Sequence, residues 1–569
     1  MQNDNMIEID GNVVLLEGEK NLLEVIRKSG VKMPTFCYHS DLSIYGACRM
    51  CMVEDENGRL MASCSTIPRP GMKIRTNTAR LRKYRRNIIE LLLANHCRDC
   101  TTCKNSGTCK LQDLAVQFGI EDVRFSDTRG TLDVDDSSPC IIRDPGKCIL
   151  CGDCVRECNE VQNVGVIDFA YRGSKAQIST SFGVPIGETA CVGCGQCASA
   201  CPTGAIIVRD NRSIVWNMLD DRKAFVTCEI APAVRVAIGK ELGVPDGENS
   251  MGKIVGALHR MGFDEVYDTS TGADFTTIEE ANEFVERLKT GENLPIFTSC
   301  CPAWVKYAET RYPEILPNLS TCKSPMQMFA TVIKEHYKGH LPEGKTKHYH
   351  VAIMPCTAKK MEASRNEFKD GDEPYVDTVI TTRELIKMIK ESGIVLEECD
   401  PEAVDMPFGT MSGAGVIFGV TGGVTEAVLR KVVQDGSKAS LATIAYSGVR
   451  GMEGVKEAYL QVGDREIHIA VVSGLRNASE LIEKIKSGEK HYDLVEVMAC
   501  RYGCISGAGQ PYISRRRRVS RQKGLYDADR TSLIKRSQDN PLMDSLYAGM
   551  LKGREHELLH VDYVKDGQK

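Results

Sequence analysis

Two cysteine runs with the same spacing constrain the fold of this chain more than any other feature. The pattern Cys-x2-Cys-x2-Cys-x3-Cys occurs at Cys148, Cys151, Cys154 and Cys158, and again at Cys191, Cys194, Cys197 and Cys201. Runs of this kind hold two 4Fe-4S clusters, and the fourth cysteine of each run ligates the cluster of the other run. We therefore predict that Cys201 completes the first cluster and that Cys158 completes the second.

The rest of the composition agrees with metal-bound thiolates. The chain has 25 cysteines among 569 residues. Its start, MQNDNMIEIDGN, lacks the basic and apolar regions of a secretory signal, and no run of about 18 apolar residues predicts a membrane span. Thiolates in a reducing cytoplasm are therefore expected rather than disulfides. The net charge of −5 gives no support for nucleic acid as a partner.

Residues 1–79 predict a small β-rich domain with a cluster of its own. Two short alternating strands meet at the turn Asp10-Gly11-Asn12, and a helix follows. After this helix, two cysteines lie three residues apart, and one further cysteine lies about a dozen residues away on each side of them. They resemble the ligands of a plant-type 2Fe-2S ferredoxin domain of the β-grasp kind, although they are more loosely spaced. These predicted ligands are Cys37, Cys48, Cys51 and Cys64.

Residues 80–126 mix one imidazole with thiols, in the order His96, Cys100, Cys103 and Cys109. On spacing alone a zinc site with three sulfur ligands and one nitrogen ligand remains an alternative. Because a 2Fe-2S domain precedes it, the segment resembles the 4Fe-4S module, held by one histidine and three cysteines, of the large iron-sulfur subunit of NADH dehydrogenase. Cys97 falls outside this pattern and is interpreted as a non-ligand.

Residues 211–515 predict a large α/β domain with parallel sheets, after the two-cluster domain at 127–210. Strand-like segments are AFVTCEIAP, NLPIFTSC, HVAIMPC, TIAYSGV and LVEVMAC, and they alternate with helical segments such as TIEEANEFVERLKT and VKEAYLQV. Three strands run directly into cysteine-bearing segments, namely TSCCPAW, MPCTAKK and MACRYGCISGAGQP. Sites form beyond the carboxyl ends of parallel strands, so these segments are expected to converge.

These three segments resemble the signature segments of the iron-only (FeFe) hydrogenases. The resemblance implies an H-cluster, in which a 4Fe-4S cluster is joined through one cysteine to a di-iron unit that carries CO, CN and a bridging dithiolate amine. Carried over by position, its ligands are Cys301, Cys356, Cys500 and Cys504, and Cys504 is the bridge. Cys300 is then the non-ligand thiol that exchanges protons with the amine.

The same resemblance assigns roles to residues around the cluster. A proton path would use Glu280, Glu283, Ser320 and Arg287, although on helical spacing alone the three charged residues would be interpreted as a surface ion-pair stripe. Lys359 would donate to a cyanide ligand, the alternative being a surface lysine. The residues that would line the cluster are Pro232, Met354, Met498 and Phe418.

Several patterns weigh against other functions. The glycines of SGAGVIFGVTGG do not have the spacing of a dinucleotide loop. HELLH, at His556–His560, matches the HExxH of zinc proteases but has no third ligand motif after it. The four arginines Arg515–Arg518 are expected to form a solvated face. The cysteines without an assigned ligand role are expected to be small core residues, and they are Cys97, Cys140, Cys228, Cys322 and Cys399.

Residues 516–569 resemble the small-subunit-like belt of this family, with helices in DADRTSLIKRSQ and PLMDSLYAGMLKG. The chain departs from the family pattern at Ala303, Arg501, Tyr502, Ala233 and Met326. These positions bear on rate and oxygen sensitivity, since packing around a cluster tunes it.

The sequence therefore predicts a multidomain α+β hydrogenase with one 2Fe-2S cluster, three accessory 4Fe-4S clusters and the H-cluster. Its expected partners are ferredoxin or a similar electron carrier, H2 and protons, and the maturation proteins that insert the di-iron unit. The alternatives are a catalytic subunit of an NADH-linked electron-bifurcating complex, a non-catalytic hydrogenase-like sensor, and an electron-transfer subunit of an NADH or formate dehydrogenase.

Overall fold

The chain divides into two compact units in a computed structural model. The structure describes residues 5–127, 130, 132–433, 435–463, 465–511 and 514–563. The first unit comprises Met1–Val161, Gly165–Thr189 and Gln196–Ile207, and the second comprises Gln162–Val164, Ala190–Gly195 and Val208–Lys569.

The first unit is built from short elements. Its strands are β1 (Met6–Ile9), β2 (Asn12–Leu15), β3 (Met52–Asp55), β4 (Leu60–Ala62), β5 (Lys73–Arg75), β6 (Ile141–Arg143), β7 (Asp168–Ala170), β8 (Gln177–Ser179) and β9 (Ile206–Val208). Its helices are α1 (Leu22–Lys28), α2 (Ala79–Ala94), α3 (Lys110–Gln117), α4 (Asp153–Arg156) and α5 (Gln196–Ala200).

The N-terminal sheet has the order β2-β1-β5-β3-β4. The predicted turn between β1 and β2 is present, with Asp10 and Gly11 both at positive φ. Asn21 caps α1 by accepting from the amide of Glu24, and the buried face of α1 packs with Ile7, Ile9 and Ile74 in one apolar core. The first stretch of chain therefore folds as its alternation predicts.

The second unit contains the longer elements. Its strands are β10 (Ala224–Ile230), β11 (Glu265–Asp268), β12 (Ile296–Phe297), β13 (Lys347–Met354), β14 (Lys369–Asp370), β15 (Glu373–Pro374), β16 (Thr378–Thr381), β17 (Val455–Val462), β18 (Arg465–Ser473) and β19 (Leu494–Met498). Its helices are α6 (Arg212–Leu219), α7 (Met251–Arg260), α8 (Ser270–Thr290), α9 (Pro302–Arg311), α10 (Pro325–Tyr337), α11 (Ala358–Ala363), α12 (Thr382–Glu391), α13 (Gly413–Val416), α14 (Gly423–Val432), α15 (Lys438–Ile444), α16 (Leu475–Lys486), α17 (Arg515–Thr531), α18 (Pro541–Ala548) and α19 (Glu555–Leu559).

Two four-stranded sheets organise this unit. The first, β11-β10-β13-β16, is entirely parallel, and the second, β12-β19-β18-β17, is parallel except for the β17–β18 pair. Both faces of β10 are buried, with Val226 and Cys228 in one apolar core and Phe225 in another. Wholly buried strands of this kind are typical of parallel sheets covered by helices, so the predicted α/β class is confirmed.

Two segments differ from the predicted secondary structure. VKEAYLQV, predicted as helical, is strand β17, because its side chains alternate between exposed and buried along an antiparallel partner. TIAYSGV, predicted as a strand, instead ends α15 and continues as a π-turn, since Ser437 caps the helix and Gly448 at φ 106° ends the turn. A short apolar run fits the 3.6-residue period of a helix and the two-residue period of a strand equally well, so the sequence alone does not distinguish them.

The C-terminal segment also differs in detail. Helix α17 includes the arginines and ends at Thr531, so DADRTSLIKRSQ is interrupted at residues 532–536 before a short 3-10 turn at Ser537–Asp539. Arg516 is exposed as predicted, but Arg518 is buried and its guanidinium lies 4.4 Å from the ring centroid of Tyr502. The prediction that the arginine run forms a solvated face is therefore wrong for Arg518. No helix in the described part of the chain is both long and apolar enough to cross a bilayer.

Candidate metal centre

A first group of thiols in the first unit lines one small cavity. Its walls include Cys148, Cys151, Cys154 and Cys201. Burial, followed by repulsion from Cys201 and Cys148, raises the pKa of Cys154 well above its ordinary value. A sulfur from the second run therefore lines the same cavity as three from the first, as ligation of the first cluster by Cys201 would require.

The four N-terminal cysteines associate as two neighbouring pairs. The amide of Cys48 donates to Sγ of Cys37 at 3.3 Å, and the amide of Phe36 donates to Sγ of Cys48 at 3.4 Å. Cys51 and Cys64 form the second pair, in which the Cys51 thiol interacts with both the thiol and the backbone of Cys64. Hydrogen bonds to sulfur tune the reduction potential of an iron-sulfur cluster, so these amides suit that role.

The histidine-containing segment surrounds a cavity of about 420 Å³ that His96, Cys100 and Cys109 line. The backbone of Gly204 passes so close to Cys103 that a Cβ there would lie 3.1 Å from its sulfur. Cys97, expected to be a small core residue, is exposed, so that expectation is wrong for this cysteine, whereas Cys140, Cys228, Cys322 and Cys399 are buried. Cys109 and Cys151 share one apolar cluster with Phe36.

A second group of thiols meets in the second unit, where three strands end. β12 leads into Cys300 and Cys301, β13 into Cys356, and β19 into Cys500 and Cys504. All five cysteines line one cavity of about 90 Å³. The expected convergence of the three segments beyond their strands is therefore present.

Local backbone structure presents these thiols. Cys301 stands directly before α9, which Pro302 begins, so its sulfur lies at the positive end of a helix. The amide of Ala499 donates to Sγ of Cys301 at 3.5 Å. Gly503 has φ +86°, and a Cβ there would lie 2.6 Å from the amide nitrogen of Thr421, so the chain between Cys500 and Cys504 requires glycine at this position.

The thiols of this cavity disfavour ionisation without a metal. Burial, and after it the neighbouring Cys356, Cys301 and Cys504, raises the pKa of Cys500 well above its ordinary value. Burial and Cys301 raise the pKa of Cys356 to about 11. Several buried thiolates can coexist only beside compensating positive charge, which bound iron would supply.

The remaining walls are mostly apolar, and the polar side chains among them are those of Lys359 and Thr269. Pro232, Met354, Met498 and Phe418 all line the cavity, as do the departing residues Ala233 and Met326. Lys359 is buried rather than on the surface, and its Nζ contacts Glu362 at 2.6 Å and the carbonyl of Cys300 at 3.4 Å. Although burial opposes it, the charge of Glu362 raises the pKa of Lys359.

The predicted proton-path residues lie along one side of α8. Glu280 is fully buried, and neither of its carboxylate oxygens has a hydrogen-bond partner in the described structure. Burial, followed by repulsion from Glu283, raises the pKa of Glu280 to about 8. The Ser320 hydroxyl donates to Glu283 at 2.9 Å, and Arg287 forms an ion pair with the same carboxylate. The surface-stripe alternative therefore fails for Glu280.

Several polar residues near these groups were not predicted. Cys322, expected only as a core residue, places its sulfur 3.8 Å from Glu283. His560 contacts Thr321 at 2.8 Å and Glu279 at 3.1 Å. Glu496, in the middle of β19, accepts from the amides of Gly422 and Thr425. The sequence signal that could have predicted Glu496 as a buried functional residue is an acidic residue inside an apolar strand, as in LVEVM.

The glycine-rich segment and the HExxH motif have structural partners. A Cβ at Gly415 would collide with the carbonyl of Ser270, and one at Gly413 with Asp529, so these glycines permit close packing. Glu557 pairs with Arg554. In the described ranges, the one trio of metal-ligating side chains whose ligand atoms all lie within 4.8 Å of one another combines His560 with Glu283 and Cys322, and it does not include His556 or Glu557.

Strand ends that deliver thiols to a cavity bordered by buried acids define an iron-sulfur hydrogenase site, and comparison with known families agrees. The iron only hydrogenase large subunit, C-terminal domain, matches residues 224–508, and the iron hydrogenase small subunit matches 515–566. The 2Fe-2S iron-sulfur cluster binding domain matches 6–79, the NADH-ubiquinone oxidoreductase-G iron-sulfur binding region 85–124, and the 4Fe-4S dicluster domain 147–205.

Full-length relatives lead to the same assignment. The chain is 40% identical to the NADP-reducing hydrogenase subunit HndD of Solidesulfovibrio fructosivorans, covering 98% of each chain. It is 35% identical to iron hydrogenase 1 of Clostridium pasteurianum, covering 98% of this chain and 100% of the relative. The solved [FeFe]-hydrogenase HydA1 of Chlamydomonas reinhardtii matches with a TM-score of 0.54 and 36% identity over 63% of this chain and 100% of its own. This chain belongs to the iron-only hydrogenase family.

Proposed function

We propose that this chain catalyses the reversible conversion of two protons and two electrons to H2. One observation carries the proposal: five cysteines from three strand ends line a single cavity, and the fully buried, unpartnered carboxylate of Glu280 is a charged neighbour of Cys300. Four thiols suffice for a cubane cluster, so the fifth is available for proton exchange.

In this proposal Cys301, Cys356, Cys500 and Cys504 would hold the 4Fe-4S part of the H-cluster, and Cys504 would also be a ligand of the di-iron unit. When bound, the H-cluster supplies the metal centre at which the H–H bond is made or broken. The cavity fits such a group, because its donors are sulfurs and its other walls are mostly apolar and polarizable, including Met354, Met498 and Phe418. Lys359, held by Glu362, would offer its ammonium to an anionic ligand.

Proton delivery follows from residues of this chain. Arg287 and Ser320 hold Glu283. After burial, the charge of Glu283 raises the pKa of Glu280, and the charge of Glu280 raises the pKa of Cys300, so Glu280 is a charged neighbour of both groups. A carboxyl with a pKa near 8 can both take and release a proton at neutral pH. Cys300 would pass the proton between Glu280 and the cavity.

Electrons would pass through one 2Fe-2S and three 4Fe-4S accessory clusters with the ligands predicted above. The domains proposed to hold them are residues 1–79, 80–126 and 127–210, followed by the catalytic domain at 211–515 and the C-terminal belt at 516–569. A ferredoxin or similar carrier in the cytoplasm is the proposed electron partner. Maturation proteins would insert the di-iron unit.

The decisive experiment is infrared spectroscopy on protein matured with the di-iron assembly proteins. We expect CO and CN stretching bands together with H2 production from a reduced dye. The variant Cys504→Ser should lose both, whereas Cys399→Ser, a change at another buried cysteine, should retain them. Wild-type protein that shows the bands but neither makes nor consumes H2 would refute the catalytic proposal and favour a hydrogenase-like sensor.

A second candidate is a catalytic subunit of a larger complex linked to a pyridine nucleotide. The 40% identity to a protein described as an NADP-reducing hydrogenase subunit, over 98% of both chains, favours it. The glycine-rich segment 412–423 serves close packing and gives no support for a nucleotide site there, so in this candidate another subunit would bind the nucleotide. H2 oxidation coupled to ferredoxin by the purified chain alone, with none coupled to NAD or NADP, would be expected under both candidates. Co-purification with a flavin-binding subunit would distinguish the complex.

A further inference from the structure

The C-terminal segment is joined to the loop after Ser320 by a short stretch of paired backbone. Cys322 and His560 form an isolated antiparallel β-bridge. Beside this bridge, the amide of Val561 donates to the carbonyl of Thr321 at 2.7 Å. Side chains directly opposite each other in an antiparallel pair lie on the same face, with their Cβ atoms about 4.5–5.5 Å apart. The backbone therefore brings the Cys322 thiol and the His560 imidazole together.

Glu283 of α8 adds a third metal-ligating side chain to this pair. The Cys322 sulfur, a ring nitrogen of His560 and a carboxylate oxygen of Glu283 all lie within 4.8 Å of one another. The sulfur is 3.8 Å from Oε2 of Glu283. In a tetrahedral zinc site, bonds of about 2.0–2.3 Å place the ligand atoms about 3.3–3.7 Å apart. Small side-chain rotations therefore suffice to hold an ion, and we call these three residues the Cys322 site.

The His560 ring has the orientation that a metal ligand needs. Its Nε2 lies 3.1 Å from Oε2 of Glu279, and the Tyr547 hydroxyl donates to the other oxygen of that carboxylate. Metal-bound histidines almost always give their second N–H to such a partner, which fixes the ring. Nδ1 lies 2.8 Å from the Thr321 hydroxyl, and the amide of Thr321 donates to Glu283. Nδ1 is therefore the nitrogen on the side of Glu283, available to an ion in exchange for the hydroxyl.

The charges around the Cys322 site suit a divalent cation. A Cys322 thiolate and the carboxylates of Glu283 and Glu279 would carry three negative charges, against the one positive charge of Arg287, which pairs with Oε1 of Glu283. A divalent ion neutralises the remaining two. The side chains of Glu283 and His560 are 13% and 10% exposed, whereas Cys322 is fully buried. An ion can therefore enter from solvent past the first two residues and meet the thiol behind them.

The donor atoms favour zinc among the divalent ions. Sulfur, imidazole nitrogen and carboxylate oxygen are all ordinary zinc ligands, and three protein ligands leave a fourth position for water. Mg2+ and Ca2+ prefer oxygen ligands, and non-haem Fe2+ sites typically combine two histidines with one carboxylate. Burial raises the pKa of the Cys322 thiol well above its ordinary value, so Zn2+ would bind by displacing the thiol proton to solvent.

We propose that the Cys322 site binds Zn2+ and that the bound ion prevents proton passage through Glu283. Oε2 of Glu283 faces the Cys322 sulfur and also accepts from the Ser320 hydroxyl at 2.9 Å. With Zn2+ on this oxygen, the carboxylate neutralises the ion and is no longer available to a proton. The inhibitory effect rests on the proposed hydrogenase function, whereas binding of the ion does not.

The test of binding is zinc-edge X-ray absorption on the matured holoenzyme with one equivalent of Zn2+. Its iron content must correspond to full cluster loading, because cysteines of empty cluster sites would bind Zn2+ through several sulfurs. We expect one sulfur neighbour at about 2.3 Å, together with nitrogen and oxygen neighbours at about 2.0–2.2 Å. The sulfur neighbour should be lost in Cys322→Ala and retained in Cys399→Ala, the matched control at another buried cysteine.

The test of inhibition compares H2 production with and without Zn2+, each variant against its own zinc-free rate. Excess Zn2+ should slow the wild type by about 10²-fold, as loss of an acid–base group does. A chelator should restore the rate, and Mg2+ should have no effect. Glu279→Gln should raise the Zn2+ concentration for half-inhibition about 10–100-fold, since it alters the partner of a ligand.

A histidine pair protects both tests against misfolding of the cysteine variant. His560→Gln should bind Zn2+ weakly and resist inhibition. His556→Gln is its matched control and should behave as wild type, because the His556 ring stacks on His560 with centroids 5.0 Å apart but lies outside the Cys322 site.

The outcomes separate this inference from the proposed function. Normal H2 production without a sulfur-bound Zn2+, or with one that persists in Cys322→Ala, would overturn the site and leave the hydrogenase function standing. Zn2+ bound as expected without slower turnover would overturn the inhibitory effect. A chain that makes no H2 but binds Zn2+ through Cys322 would support the site and overturn the function.

Discussion

The accessory-cluster region and the hydrogenase region gather sulfur in opposite ways. In the first, each proposed ligand set takes most of its ligands from one short stretch of sequence, as with Cys148, Cys151 and Cys154, and these stretches stand on short loops and single helical turns. In the second, the thiols come from segments far apart in the chain, and a strand of a parallel sheet delivers each segment. Local loops suffice to hold a cluster, but a reaction cavity requires a larger scaffold around it.

The two regions also differ in the company of their sulfurs. The cavity of the second unit has buried Glu280, Glu362 and Glu229 among its charged neighbours, and each is almost fully inaccessible. The cavity lined by Cys148 and Cys201 in the first unit also has Arg143 and Asp144 in its walls. The buried acid beside its thiols, Asp153, is paired with Arg156 at 2.5 Å, whereas the Glu280 carboxylate has no hydrogen-bond partner in the described structure. Electron transfer needs only the metal and its sulfurs, whereas hydrogen chemistry also needs groups that hold protons at neutral pH.

Removing the Cys300 thiol should have the largest effect, because it should leave the hydrogenase region able to hold its cluster but unable to turn over H2. Cys300→Ala removes the titratable group between Glu280 and the cavity but no proposed ligand. We expect H2 turnover to be abolished while iron content and the CO and CN bands persist. Cys399→Ala is the matched control, since it removes another buried thiol. Residual turnover near the wild-type rate in Cys300→Ala would place proton delivery elsewhere.

Glu280→Gln should have the next largest effect. Glutamine preserves the size of the buried side chain but cannot release a proton, so H2 production should fall by about 10²-fold or more. Glu286→Gln, an exposed change on the same helix, should leave the rate unchanged. If both variants turned over equally fast, the buried carboxyl would not be a proton carrier.

The same substitution predicts a pH effect on stability. Because the folded-state pKa of Glu280 is raised to about 8 from an ordinary value of 4.5, the folded protein binds more protons than the unfolded chain between these values. The free energy of unfolding therefore falls as pH rises through this window. Thermal midpoints measured anaerobically across this range should decline less steeply in Glu280→Gln than in wild type. An equal decline would mean that Glu280 ionises normally.

His96→Ala should have a smaller effect, confined to electron supply. The variant should lose roughly four iron atoms per chain if His96 is a cluster ligand. Turnover with a protein electron carrier should fall several-fold, whereas turnover with a small dye that reaches the catalytic site directly should change little. Cys97→Ala is the matched control because Cys97 is exposed and adjacent. Loss of zinc instead of iron from His96→Ala would establish the zinc alternative.

The thiols were predictable because their spacing and position are local properties of the sequence. TSCCPAW, MPCTAKK and the third segment each follow an apolar run, and the carboxyl-end rule for parallel strands brings them together. The separation of strand from helix was less secure. Val455–Val462 carries charges at positions that suit either period, and only its pairing with β18 decides in favour of a strand.

The polar network around the site was not predictable in the same way. Thr227, His350 and Glu229 become neighbours only through the register of β10 against β13, which no local pattern specifies. His560 reaches Glu279 across 281 residues of sequence. Buried acids in apolar strands, as in AFVTCEI and LVEVM, are the one local trace, since an uncompensated carboxylate there would be costly.

The smallest expected effect on activity comes from the attachment of the C-terminal segment. Asp274 of α8 is fully buried and accepts hydrogen bonds from Ser412, from Ser537 at 2.8 Å and from Asn540 at 3.0 Å. Asp274→Ala leaves these buried donors without their acceptor, at a cost of about 1–3 kcal/mol for each group left unsatisfied.

We expect a lower thermal midpoint and faster proteolysis within 515–563, with turnover per bound iron nearly unchanged. Asp539→Ala removes a carboxylate from an exposed pair with Arg536, and such pairs contribute at most about 1 kcal/mol. It should therefore leave both measurements close to wild type. If Asp274→Ala lowered turnover as much as Glu280→Gln does, this end of α8 would take part in the chemistry and not only in holding the segment in place.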